Sequence, residues 1–183
     1  MAVQPHTKIT ADEFYTIAEN TDQRLELIHG AIIEMATPTP EHQTLIVVLI
    51  QMLTGLIPQG KLFIAPLDVV LDDETIVQPD VMWLAHDSRC VVEKKKLRGA
   101  PDLIIEVLSP STMRRDRTVK FELYEKFGVR EYWMIDPLGI LEAWSLIDKV
   151  YTLIGQFRAG EVFVSPVLNG QVDVGVLFTN LET

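Results

Sequence analysis

An aspartate and a lysine project from a helix face that should be apolar. Between Thr112 and Phe127 the sequence reads as an amphipathic helix whose apolar residues are Val119, Phe121, Leu123, Tyr124 and Phe127. At roughly 100° per residue, their mean direction falls within about 20–25° of both Asp116 and Lys120. Upstream, Glu106 interrupts the apolar run Leu103-Ile104-Ile105-Glu106-Val107-Leu108, where an unpaired carboxylate is costly to bury. Charges placed in a core pair, hold a metal or do chemistry, so the fold has to supply each of these groups with a partner.

The rest of the chain alternates strand and helix signals. Thr10-Ala11-Asp12-Glu13 is a capping box that predicts a helix over Ala11–Glu19. Arg24–His29 and Ala31–Met35 read as a hairpin turning at His29-Gly30. Thr39-Pro40 starts a second helix, and from Glu41 to Leu56 it is apolar around most of its circumference. Such a helix needs cover from other elements or from a partner subunit, so a homodimer is expected. Strands are predicted at Lys61–Leu71, Val77–Leu84 and Asp102–Leu108, and Gly128 stops the charged helix. A further strand, Glu131–Asp136, precedes a hairpin of Ile140–Leu146 and Val150–Phe157 around Asp148-Lys149, then weakly patterned β structure from Glu161 to Phe178. The expectation is an α/β fold in one domain, 1–183: a mixed β-sheet flanked by α-helices.

Composition narrows the function classes. A hydrophobic share of 48% and a mean hydropathy of +0.17 mark a folded chain. The longest apolar run, Leu45–Ile50, is too short to span a bilayer. Met1–Phe14 lacks a basic start followed by an apolar stretch, so a cytoplasmic protein with no membrane partner is expected. The single cysteine, Cys90, excludes an internal disulfide and a multi-cysteine zinc site, and it lies in a charged loop with no evident His partner. A net charge of −10 opposes a globally basic nucleic-acid surface, although Lys94-Lys95-Lys96 with Arg98, and Arg114-Arg115 with Arg117, are local basic clusters. There is no Gly-x-Ser-x-Gly elbow, phosphate-binding glycine loop or His-Glu-x-x-His pair.

Strand periodicity sorts the acids. Asp102, Ile104, Glu106 and Leu108 share one face of their strand; Asp80, Met82 and Leu84 share one face of theirs. If the two strands are neighbours in register, Asp80 and Glu106 converge. Two hard oxygen ligands with waters suit Mg²⁺ or Mn²⁺, and the Lys120 ammonium could stabilise charge on a phosphate or orient an attacking water. A buried Glu106–Lys120 ion pair with no ligand role explains the same residues equally well.

Pro79-Asp80, then Ile105-Glu106-Val107-Leu108-Ser109-Pro110-Ser111-Thr112, then Asp116 and Lys120, resemble the PD-(D/E)XK nuclease pattern. More narrowly they resemble the Uma-type family of bacterial restriction-endonuclease-like proteins. Leu25–Gly30, Pro38–His42 and Gly128–Asp136 match as well, so the similarity runs from about Glu13 to Ser145. The resemblance implies a restriction-endonuclease-like core, with Asp80 and Glu106 as ligands of Mg²⁺ or Mn²⁺ and cleavage of DNA phosphodiesters by a metal-activated water. It adds Glu26 as a further ligand or water-orienting group; by itself, the alternation of Arg24 and Glu26 with Leu25 and Leu27 reads as an exposed strand face. The chain departs from the superfamily at Leu108, where a lysine is expected. Lys120 takes its place from the adjacent helix, with Asp116 one turn away to hold it. His42 reads as a surface or capping residue outside the catalytic set, and Asp68 as an interruption of an apolar strand. A second reading is a non-catalytic member of this fold, acting as a metal-binding or protein-interaction module, which the acidic net charge favours.

Overall fold

The computed structural model describes residues 8–56 and 59–178; the leader reading of Met1–Phe14 falls partly outside them. Helix α1 (Ala11–Ala18) opens with the predicted capping box, in which the Thr10 side chain accepts from the Glu13 amide and the Glu13 carboxylate accepts from the Thr10 amide. Strands β1 (Leu25–Ile28) and β2 (Ala31–Glu34) turn through His29 and Gly30 at φ 53° and 78°, the two left-handed positions that a tight hairpin requires. Helix α2 (Pro40–Leu56) follows.

Two predicted strands are each divided. Lys61–Leu71 becomes β3 (Lys61–Ile64) and β4 (Asp68–Asp72), parted at Pro66. Val77–Leu84 becomes the end of β5 (Thr75–Val77) and all of β6 (Val81–Leu84), parted at Pro79. Proline has no amide to give a ladder, and at both breaks the chain changes sheets. The charged loop around Cys90 contributes β7 (Val91–Val92) and β8 (Lys96–Arg98). Then come β9 (Leu103–Val107), α3 (Met113–Arg115), a π-helical turn (Asp116–Lys120) and α4 (Phe121–Phe127), which Gly128 ends in the left-handed conformation. The chain continues through β10 (Glu131–Asp136), β11 (Ile140–Ile147), β12 (Val150–Phe157), β13 (Val162–Ser165), β14 (Gly170–Asp173) and α5 (Gly175–Phe178). The expected β tail therefore closes with a helical turn.

The central sheet has the order β12-β11-β10-β9-β6-β3 and is mixed, β9 and β10 being parallel. The second has the order β2-β1-β5-β4-β8-β7. Alternation along the central strands builds two cores. Val81, Trp83, Leu103, Ile105, Trp133 and Ile135 face α2, α5 and the β13–β14 hairpin. Met82, Leu84, Ile104, Tyr132 and Met134 face α4 and the second sheet. A third cluster packs α1 on the second sheet through Phe14, Leu25 and Leu27. The cover that α2 requires comes from within the chain: Leu45, Leu49 and Leu53 are fully buried, while Val47 faces outward. Among the described residues no helix is long and apolar enough to cross a membrane. The observed architecture is the mixed α/β fold expected.

Candidate functional site

Sheet register brings the two strand acids together. β6 runs antiparallel to β9 with Val81 opposite Ile105 and Met82 opposite Ile104, so one further step sets Asp80 against Glu106. Asp80 Oδ2 accepts from the Val107 amide at 2.8 Å, fixing the carboxylate at the strand end. Its Oδ1 lies 3.1 Å from His42 Nε2. His42 sits in the first turn of α2, where its amide donates to Thr39 Oγ1. Sequence reasoning left His42 out; the available signal was the Thr39-Pro40 start, which puts position 42 at the helix mouth.

The helix delivers Lys120 as its apolar periodicity predicts. Lys120 is 1% exposed, with Nζ 2.9 Å from Glu106 Oε1, 2.9 Å from Glu26 Oε1 and 3.8 Å from Asp116 Oδ1. Tyr124, one turn on, donates its hydroxyl to the same Glu106 oxygen at 2.8 Å. Glu106 Oε2 has no donor among the described residues. Glu26 is completely buried rather than exposed: β1 lies between β2 and β5, and its inward acid meets the lysine. Glu26 Oε1 also accepts from the Gln78 amide at 2.8 Å.

Charge does not balance inside this cluster. Glu26, Glu106 and Asp116 face the Lys120 ammonium and, 4.0 Å from Glu26 Oε2, the Arg115 guanidinium, and Glu26 Oε2 and Asp116 Oδ1 are buried without a hydrogen bond. Burial raises the Glu106 carboxyl; Lys120 opposes that shift, and Asp116, Asp80 and Glu26 add to it. Burial acts against the Lys120 ammonium, but the surrounding carboxylates outweigh it and hold the amine protonated. Burial likewise raises Asp116 against the pull of Lys120. A buried site with more acid than base takes up protons or a cation.

Asp80, Glu106, Asp116 and Lys120 line one cavity of about 450 Å³, with His42, Arg24 and the Ser109–Thr112 loop among its other walls. Glu26 is not one of those walls. Among the described residues no group of three or more His, Cys, Asp or Glu is arranged to hold a metal ion. Mg²⁺ does not need one: it binds through one or two carboxylates and completes its shell with water or substrate phosphate. Asp80 and Glu106, with an unpartnered Glu106 oxygen and surplus negative charge behind it, fit that requirement.

The other candidates fall outside the cluster. Asp68 accepts from Gln78 Nε2 at 2.8 Å. Burial pushes the Cys90 thiol up to about 11, and it donates to the Gly99 carbonyl, which suits no nucleophile. Trp83 and Trp133 are core residues.

A family model described as "Putative restriction endonuclease", Uma2, matches residues 11–176. An uncharacterized protein of Synechocystis sp. is 31% identical over 141 residues, covering 74% of this chain and 80% of that protein. A crystal structure described as that of "a putative nuclease belonging to DUF820" from Anabaena variabilis superposes with a TM-score of 0.76 at 21% identity, covering 94% of this chain and 99% of that one.

Proposed function

This chain belongs to the Uma2 family, and from that membership and its cluster we propose a divalent-metal-dependent endonuclease that hydrolyses DNA phosphodiesters. The observation that carries the reading is Asp80 and Glu106 set face to face at the end of β6 and β9, lining one cavity with a buried ammonium 2.9 Å from Glu106.

Asp80 and Glu106 would hold Mg²⁺ or Mn²⁺, which supplies Lewis acidity towards a phosphate and makes water a competent nucleophile near neutral pH. The protein's own groups do the positioning. The Val107 amide and His42 fix the two oxygens of Asp80. Lys120 and Tyr124 both hold Glu106 by Oε1, turning the free Oε2 to the cavity. Lys120 lends positive charge where negative charge develops on the phosphate. Glu26, which the resemblance ranks with the metal ligands, is read here as the group that holds Lys120 from behind.

The test is nicking of supercoiled plasmid in Mg²⁺ and Mn²⁺ by the wild type, Asp80→Ala and Glu106→Ala. Wild-type cleavage that chelator stops and either substitution abolishes supports the reading; equal cleavage by all three rejects it. Calorimetric metal binding with no turnover on any nucleic acid supports the non-catalytic reading, which the net charge of −10 favours.

A further inference from the structure

We propose that Arg24 binds a backbone phosphate of the nucleic-acid strand next to the bond addressed by Asp80 and Glu106. The inference rests on the proposed function only for the identity of the anion as a phosphodiester. Arg24 immediately precedes β1 and is half-buried, yet no carboxylate lies within ion-pair distance of it among the described residues. Its hydrogen-bond partner is neutral: Nε and Nη2 donate to Gln78 Oε1 at 3.4 and 3.3 Å. That amide is itself committed, since Gln78 Nε2 donates to Asp68 Oδ1 at 2.8 Å, which turns the Gln78 oxygen towards the guanidinium. Gln78 orients Arg24 without neutralising it.

Three other cations near the cluster have a carboxylate within ion-pair distance. Lys120 has three acids around it, Arg115 lies 4.0 Å from Glu26, and Arg117 meets Glu142 at 2.7 Å. Of the Arg and Lys side chains that line the 450 Å³ cavity, Lys120 and Arg24, Arg24 is the one without a carboxylate partner among the described residues, in a chain that is otherwise strongly acidic. It also lies between two cavities. Arg24, Pro38, His42 and Asp80 are shared walls of the 450 Å³ cavity and of a second one of about 280 Å³, whose further walls are Gln43 and the apolar Ile46, Ile64, Ala65 and Pro66. A phosphate between the two would have the cleavage residues on one side and, on the other, a surface that accepts a sugar or base. The planar guanidinium fork suits a phosphate better than an ammonium does.

The experiment is fluorescence anisotropy of a labelled single-stranded oligodeoxynucleotide in Ca²⁺ over a KCl series, with wild type, Arg24→Gln and Arg24→Lys. R24Q should weaken binding about tenfold and reduce the slope of log K against log salt by roughly 0.7. R24K should keep the slope and lose severalfold in affinity, because it retains the charge without the fork. A purely structural role for Arg24 would leave the salt slope alone. Wild-type affinity and slope in R24Q overturn the inference, as does absence of wild-type binding. If R24Q lacks the wild-type circular dichroism spectrum, R24K decides, and unchanged affinity in it overturns the inference. Plasmid nicking is scored separately. No nicking alongside an Arg24-dependent slope removes the nuclease reading and leaves the anion site; nicking alongside an unchanged slope does the reverse.

Discussion

Replacing Lys120 by methionine tests the charge accounting of the cluster directly. Methionine keeps an unbranched apolar stem in the 1%-exposed slot and removes only the ammonium. Two hydrogen bonds to carboxylates, each 2.9 Å long, disappear, at about 1.5–3 kcal/mol apiece for bonds to charged groups. Leaving one side of a buried ion pair alone costs about 3–5 kcal/mol on independent grounds. The expected loss is therefore about 4 kcal/mol near pH 7.5, a large fraction of the ~5–15 kcal/mol that holds a domain together. Proton uptake limits the damage. Without the ammonium, the carboxyls of Glu106 and Asp116, already raised by burial, rise further. The native state of the variant then binds more protons than its unfolded state, and its stability increases as pH falls. At about 1.4 kcal/mol per pKa unit, the deficit should shrink by roughly 1–2 kcal/mol between about pH 7.5 and about pH 5.5. Urea unfolding in chelator, followed by tryptophan fluorescence, reads both quantities. Adding Glu26→Gln to Lys120→Met should restore about 1–2 kcal/mol by removing one stranded charge. A loss below about 1 kcal/mol, or the same loss at both pH values, would refute the view that the Lys120 ammonium is the main counter-charge to the three acids.

Two further outcomes follow from the same geometry. In chelator, burial and the neighbouring acids hold the wild-type Glu106 carboxyl above its ordinary 4.5 in the native state, so it contributes a fall in stability as pH rises above that value. Glu106→Gln should flatten the fall when the two urea profiles are subtracted, and parallel profiles would contradict it. On the opposite side of the central sheet, buried Glu131 accepts from Trp133 Nε1 at 2.6 Å, Ser165 Oγ at 2.9 Å and the Val167 amide at 3.0 Å. Ser165 Oγ also accepts from the Leu168 amide. Ser165→Ala should cost about 1–3 kcal/mol and raise hydrogen exchange selectively in β13 and β14.

Local periodicity carried much of this fold, and it failed where tertiary partners intervened. The helix wheel placed Asp116 and Lys120 inward, and period-two alternation put Asp80 and Glu106 on matching faces; both readings depend only on backbone geometry. Pro66 and Pro79 were visible as breakers, but the apolar pattern continues across each, so it could not show that the chain changes sheets there. The alternation around Glu26 looked solvent-facing because pattern analysis assigns polar residues to water. What reverses that assignment is the ammonium of Lys120, 94 positions on. The contact of His42 with Asp80 spans 38 positions and has no local signature beyond a helix start. The lysine run read only as a local basic cluster, yet the strand of Lys96 pairs with β4 and its ammonium lies over the Tyr15 ring at 4.6 Å.

The departure at Leu108 has a structural counterpart. Leu108 is 1% exposed and belongs to the core shared by Ile104, Leu123 and Tyr124, so this face of the strand end is filled with hydrocarbon. Position 108 therefore offers Glu106 no ammonium, and the helical run packed across the core supplies one. Its π-turn covers Asp116 to Lys120; such turns depart from regular helix hydrogen bonding and recur at functional sites. The carbonyl of Asp116 accepts from the buried Tyr132 hydroxyl, tying the turn to β10. The resulting stripe of Asp116, Lys120 and Tyr124 lies along Glu106, and both of its donors use the same carboxylate oxygen. A lysine delivered this way grips the acid from the core side and leaves the other oxygen to the cavity. The strand therefore tolerates a leucine where the superfamily pattern has its lysine.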